Sequence, residues 1–139
     1  MFRIVIDPGV LIAALISPSG IPRQLAEAWF AGKFELLICP MLISELEDVL
    51  GRKKFDSYVS IGSRKTYIAL LSRLATWVSD PVELPRATPD PNDDYLLALA
   101  NSQGAHFIVS GDPHLTKLTA SAVRILSPRA FLTILEKVQ

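Results

Sequence analysis

The chain has 139 residues, half of them hydrophobic, with 14 basic and 14 acidic side chains and no net charge. That length suits a single domain over residues 1–139 with a core of its own, and the composition excludes disorder. Balanced charge gives no overall basic footprint for nucleic acid, and the longest apolar run, Val10 to Ile16, is too short to cross a bilayer.

Arg3-Ile4-Val5-Ile6 reads as a buried parallel strand that ends in Asp7. It starts so close to Met1 that no signal peptide fits before it. Pro8–Ile16 is so apolar that, as a helix, it is buried nearly all round, and Ser17-Pro18-Ser19-Gly20 breaks it. Pro22 opens an amphipathic helix that Gly32 closes. Phe34–Cys39 is a second strand. Cys39, the single cysteine, reads as a core thiol, excludes an internal disulfide and fits a reducing cytosol.

Pro40 starts a third helix that runs to about Arg52. Ser63 caps a long helix from Arg64 to about Ala75, with Tyr67, Leu70, Leu71 and Leu74 at helical spacing. Trp77-Val78 is a short strand, and Val82–Pro91 is a proline-rich loop. Asn92–Gln103 is a helix ended by Gly104. His106–Ser110 is a fourth strand, followed closely by Asp112. Leu115–Leu118 is one helical turn, Val123–Leu126 a fifth strand and Pro128–Val138 a closing helix. Strands alternate with helices throughout, which calls for a parallel sheet with helices on both faces.

Two of these strands end in aspartate, Asp7 and Asp112. Open α/β sheets gather chemistry at the carboxyl ends of their strands, where neighbouring crossovers part. Two carboxylates brought together there repel unless protonated or bridged by a cation. Each is also followed by proline, and Asp as N-cap with Pro at the first helical position is a common structural device. Capping does not require both to share one sheet edge, whereas a metal site does. Asp93 stacks with Leu96, Leu97 and Ala100 on the inward face of its helix, where a carboxylate must be paired or bound. Asp94 is turned away and reaches solvent. Asn92 or Asp90 can cap that helix in place of Asp93. On the third helix Glu45 and Glu47 border opposite sides of the apolar stripe and Asp48 faces water, so geometry leaves Glu45 and Glu47 as equal alternatives. Ser110 can hydrogen-bond a carboxylate. His106 and His114 lack any metal-ligand spacing. Arg52-Lys53-Lys54 and Arg64-Lys65 are local basic clusters on a solvated face or a backbone-binding one.

Several motifs at these positions resemble those of PIN-domain proteins found as toxins in bacterial and archaeal toxin–antitoxin pairs. They are Asp7-Pro8-Gly9-Val10-Leu11, Ser17-Pro18-Ser19-Gly20, Glu45-Leu46 with Leu50-Gly51-Arg52-Lys53-Lys54-Phe55, Asp90-Pro91-Asn92-Asp93, and Ser110-Gly111-Asp112-Pro113-His114-Leu115. The resemblance runs nearly end to end. It implies a three-layer α/β/α fold with a five-stranded parallel sheet in the order 3-2-1-4-5. It implies that Asp7, Glu45, Asp93 and Asp112 bind Mg²⁺ or Mn²⁺ and hydrolyse RNA, with Arg52, Lys53 or Lys54 steering the phosphate backbone. It further implies a cytoplasmic protein with an antitoxin and a second copy of itself as partners. Ala26, Trp29 and Phe30 are an apolar stretch for such an interface or for packing within the monomer.

One departure stands out. The family usually follows its first Asp with Thr or Ser and then Asn, where this chain has Pro8 and Gly9. That supports the competing class, a weakened PIN fold that binds RNA or protein without turnover. An aspartyl-phosphate phosphatase or receiver also starts from an Asp at a strand end, but the Asp-x-Asp of the former and the early acidic pair of the latter are absent.

Overall fold

A computed structural model describes residues 1–82, 88, 90–118 and 121–138, apart from the side chain of Asn92. The elements are β1 Arg3–Ile6, α1 Pro8–Ile16, α2 Ile21–Phe30, β2 Glu35–Ile38, α3 Pro40–Leu50, a 3₁₀ turn Lys53–Phe55, α4 Ile61–Leu74, β3 Thr76–Trp77, α5 Pro91–Ser102, β4 Phe107–Val109, α6 Pro113–Thr116, β5 Arg124–Leu126 and α7 Pro128–Lys137. Among the described residues five strands form one parallel sheet in the order β3-β2-β1-β4-β5. This is the fold class and strand order expected from the sequence. Most of the proline-rich stretch expected over Val82–Pro91 lies outside the described residues.

Proline marks where helices begin. Pro8, Pro40, Pro113 and Pro128 each open a helix, where the missing N–H would have had no intrahelical partner. Asp7, Ser60, Asp112 and Ser127 cap four helices with side-chain oxygens. Gly32 and Gly104 follow α2 and α5 with φ of 77° and 61°, the left-handed conformation that ends a helix cheaply only in glycine. The central strands are buried on both faces: Ile4, Val5, Leu37, Ile38, Ile108 and Val109 are fully enclosed. Phe131 of α7 packs edge-on against Phe34 with ring centroids 5.1 Å apart, and also meets Phe2 and Phe107. Cys39 is a buried core thiol, as expected, and burial raises its pKa to about 11. Trp29 is buried while Phe30 beside it is half exposed. No helix among the described residues is long and apolar enough to cross a membrane.

α4 departs from expectation in three ways. It starts three residues early, at Ile61, because Ser60 takes the cap: its Oγ accepts from the Ser63 amide at 3.1 Å. Only Tyr67 and Leu71 of the expected stripe are buried, and Leu70 and Leu74 face outward. Arg64 is enclosed rather than part of a solvated basic cluster. Its guanidinium donates to the carbonyls of Leu50 at 2.9 Å and Val59 at 2.9 Å, and to Asp56 Oδ1 at 2.9 Å. One fork thus satisfies backbone oxygens between α3 and α4 that have no helical partner.

Removing that fork leaves buried carbonyls without donors. Arg64→Ala therefore lowers unfolding free energy by about 2–3 kcal/mol in urea melts, while Lys65→Ala, on the exposed neighbour, changes it by less than about 0.5 kcal/mol. Equal effects of the two substitutions would refute this role for Arg64.

Candidate functional site

The site is set by how β1 and β4 pair. Their register matches Ile6 with Val109, so both strands reach the same edge together. The Asp7 amide extends the ladder by donating to the Val109 carbonyl at 2.9 Å. β5 ends level with them, and the Ser110 amide donates to the Leu126 carbonyl at 3.0 Å. Asp7 and the segment Ser110–Asp112 therefore meet at the carboxyl edge of the sheet.

There Ser110, completely buried, links the two aspartates. Its hydroxyl donates to Asp7 Oδ2 at 2.8 Å and accepts the Asp112 amide at 3.1 Å. Asp7 Oδ1 accepts from the Gly9 amide at 3.0 Å, and Asp112 Oδ1 accepts from the His114 amide at 2.9 Å. Both aspartates are helix caps, and both stand at the one edge that a shared site would require.

Glu45 on α3 and Asp93 in the first turn of α5 face the same edge. Burial raises the Glu45 carboxyl, and the negative charges of Asp7, Asp90 and Asp93 push it further in the same direction. Burial likewise lifts Asp93 to about 6, helped by Asp90, Asp7, Asp112 and Asp94. The four carboxylates thus lie within electrostatic reach of one another. Glu47 is exposed and opens on a different groove, lined by Lys53, Asp56 and Arg64. Position in the fold thus separates the two glutamates that helical spacing left equal. Among the described residues, no three acidic, histidine or cysteine side chains converge closely enough to hold an ion as they stand. The donors gathered at the edge are nonetheless all carboxylate oxygens, the set that suits a hard divalent cation.

Asp94 corrects the sequence reading. It is buried, and its Oδ1 accepts from the amide of Thr88 at 2.7 Å and the hydroxyl at 2.9 Å. α5 buries more than one face, with Tyr95, Leu96, Leu99 and Ala100 all enclosed, so a turn of about 100° from Asp93 leads into protein rather than water. Asp80-Pro81 repeats the Asp-Pro dipeptide and reads as a cap, which it is, though of another helix; Tyr95 escaped notice. Asp80, arriving after β3, accepts from the Met41 amide at 2.8 Å and so caps α3 from outside. Tyr95 lies beside Glu45 in a groove that also includes Met41, Ser44, Val49, Arg52 and Asp80. A tyrosine in the apolar stripe of α5, two residues after Asp93, was the one available signal.

The basic triplet is not one patch. Arg52 lines the groove that carries Glu45 and pairs with Asp48 at 3.8 Å. Lys53 faces the other groove, and the Lys54 ammonium lies 5.1 Å from the ring centre of Phe55. His106 lies away from the site at the start of β4, where its Nδ1 accepts from the Arg3 amide at 2.9 Å.

A family model described as the PIN domain matches residues 3–114. No protein of curated function matches the chain. Among solved structures, PAE2754 from Pyrobaculum aerophilum is 16% identical with a TM-score of 0.67, over 98% of this chain and 90% of that one. VapBC2 from Rickettsia felis, solved bound to a DNA fragment from their promoter, is 9% identical with a TM-score of 0.63, over 90% of this chain and 98% of that one. A domain of a functionally unknown protein from Methanocaldococcus jannaschii is 17% identical with a TM-score of 0.58, over 91% of each chain. At these identities the structures share the fold.

The raised Asp93 carboxyl is a stability statement. With a folded pKa of about 6 against an ordinary value of 3.8, the folded chain binds the proton more tightly than the unfolded chain. Stability therefore falls as pH rises from 4 through 6, and the full penalty is present above 6. In EDTA at pH 7.5, Asp93→Asn raises Tm by about 3 °C, an amount already discounted for solvent screening. The gain fades as the melt is repeated toward pH 4. An equal gain at both pH values would show that the charge is not its source.

Proposed function

The chain belongs to the PIN-domain family, and on that footing we propose that it is a metal-dependent endoribonuclease, the toxin of a toxin–antitoxin pair. The observation that carries this reading is the Ser110-linked pair Asp7 and Asp112, with Glu45 and Asp93 held near them in mutual repulsion. Asp7 and Asp112 would be the central ligands of Mg²⁺ or Mn²⁺, Asp93 would bind directly or through water, and Glu45 would hold a water of the ion. Such an ion, when bound, supplies Lewis acidity toward a phosphodiester and lowers the pKa of water.

The chain's own groups do the rest. The Gly9 amide and the Ser110 hydroxyl fix the Asp7 carboxylate, and the His114 amide fixes that of Asp112. Glu45, whose proton affinity is raised by burial and by Asp7, is suited to take a proton from an attacking water. The water oxygen bonds to phosphorus in line, the bond to the 3′-oxygen breaks, and that oxygen takes a proton from solvent. The products are a 5′-phosphate and a 3′-hydroxyl. Arg52, on the rim of the same groove, would hold the RNA backbone, with Lys53 and Lys54 contributing longer-range attraction. An antitoxin and a second copy of the chain are the partners in this reading, which the likeness to VapBC2 supports, and the cytoplasm is its place.

The competing reading, a PIN fold that binds without turnover, has one observation in its favour. Gly9 offers no side chain at the edge, although a Cβ there would lie 3.7 Å from Asp7 Oδ1, an ordinary contact. Two experiments separate the readings. Asp7→Asn and Asp112→Asn keep a capping residue, so each retains the fold while Mn²⁺-dependent cleavage of RNA falls by more than about 100-fold. Cleavage at the natural rate by either variant ends the nuclease reading. Gly9→Asn, which places an amide beside Asp7, tightens Mn²⁺ binding in calorimetry by about tenfold. RNA binding with no turnover at any Mn²⁺ concentration, in the natural chain and in Gly9→Asn alike, favours the binding module.

A further inference from the structure

We propose that Tyr95 is a positioning residue of this site, its hydroxyl placed to donate to the Glu45 carboxylate and hold it toward the acidic edge. The inference rests on the nuclease reading above. Tyr95 is 2% exposed, and among the described residues its hydroxyl makes no hydrogen bond of full geometry. A buried hydroxyl in that state is costly, and a phenylalanine of the same shape would fill the space without the cost. Packing therefore explains the ring and not the oxygen.

The surroundings of the oxygen say what it is for. Tyr95 of α5 and Glu45 line the same groove, which follows α3 from Pro40 to beyond its end at Arg52. A phenol keeps its proton in the ordinary pH range, so the Tyr95 hydroxyl has a proton to donate, and the carboxylate of Glu45 in the same groove can accept it. Asp7 and Asp112 are each fixed by backbone amides, and Asp7 also by Ser110. Among the described residues Glu45, on a longer side chain, receives no backbone amide of that kind, and Tyr95 is a donor in its groove. Hydrogen bonds of such sites are often incomplete before ligand arrives and close when it does.

The test uses the full chain with Mn²⁺ alone as probe, then with RNA. In Tyr95→Phe, Mn²⁺ affinity by calorimetry falls about tenfold. Cleavage loses a similar factor in kcat with KM for RNA unchanged, and Tm stays at or above that of the natural chain. In a Glu45→Ala background the same substitution changes Mn²⁺ affinity by less than twofold, because the acceptor it positions is gone. Natural Mn²⁺ affinity and kcat in Tyr95→Phe would overturn the inference and leave the nuclease reading standing. So would a fall in Tm, which would mean the hydroxyl has a packing role. So would additive losses in the double variant, which would place its effect elsewhere. A natural chain that neither binds Mn²⁺ nor cleaves RNA would overturn both readings.

Discussion

Parallel pairing of β1 with β4 is the constraint on which the acidic edge depends. A capping aspartate follows each strand, Asp7 directly after β1 and Asp112 after Ser110-Gly111 beyond β4, and the register that sets Ile6 against Val109 makes those two ends coincide. A one-residue slip would turn the buried apolar set of either strand to its other face. The hydrophobic effect thereby fixes the position of polar groups it does not itself favour. Ser110 completes the arrangement, since a hydroxyl can donate to one carboxylate while accepting the amide of the next.

The four carboxylates fall into two physical classes. Asp7 and Asp112 receive backbone amides at helix N-termini, where the macrodipole and the cap both favour negative charge. Their anchorage is part of the fold's own stability. Glu45 and Asp93 instead sit where burial and like charge oppose ionisation. A site built this way has a rigid half, secured by elements the protein needs in any case, and a strained half that a bound cation would relieve. Strain of the second kind gathers at functional positions because nothing in folding alone would keep it.

Which parts of this were legible in the sequence follows from the range of the forces involved. Strand runs, helix starts at proline and helix ends at Gly32 and Gly104 are local, and they lie where the sequence puts them to within a residue or two. The strand order and the choice of Glu45 over Glu47 came with the family resemblance, and the fold bears out the order. The burial of Arg64 and Asp94, and which helix Asp80 caps, could not be read, because each depends on a partner outside the residue's own element. Arg64 is buried only because the carbonyls of Leu50 and Val59 need a donor. Asp94 is buried because Thr88 returns over the start of α5. Asp80 reaches an α3 amide 39 residues earlier. Helical periodicity reports which residues share a face, but not how many faces the rest of the chain will cover.

The replacement of the family's usual Thr/Ser-Asn by Pro8-Gly9 weighs less against the site than the sequence suggests. A residue at the first helical position contributes an N–H that no intrahelical acceptor uses, so proline there forfeits little. The amide that holds Asp7 Oδ1 belongs to Gly9, and a backbone amide serves equally well whatever the side chain. The other oxygen is held by Ser110, from a strand more than a hundred residues away. Both oxygens of Asp7 thus keep a donor despite the substitution. What the replacement removes is side-chain polarity around the carboxylate, which bears on how tightly the edge grips a cation. The direction of the Asp7 carboxylate is set by backbone and sheet, and it survives the loss.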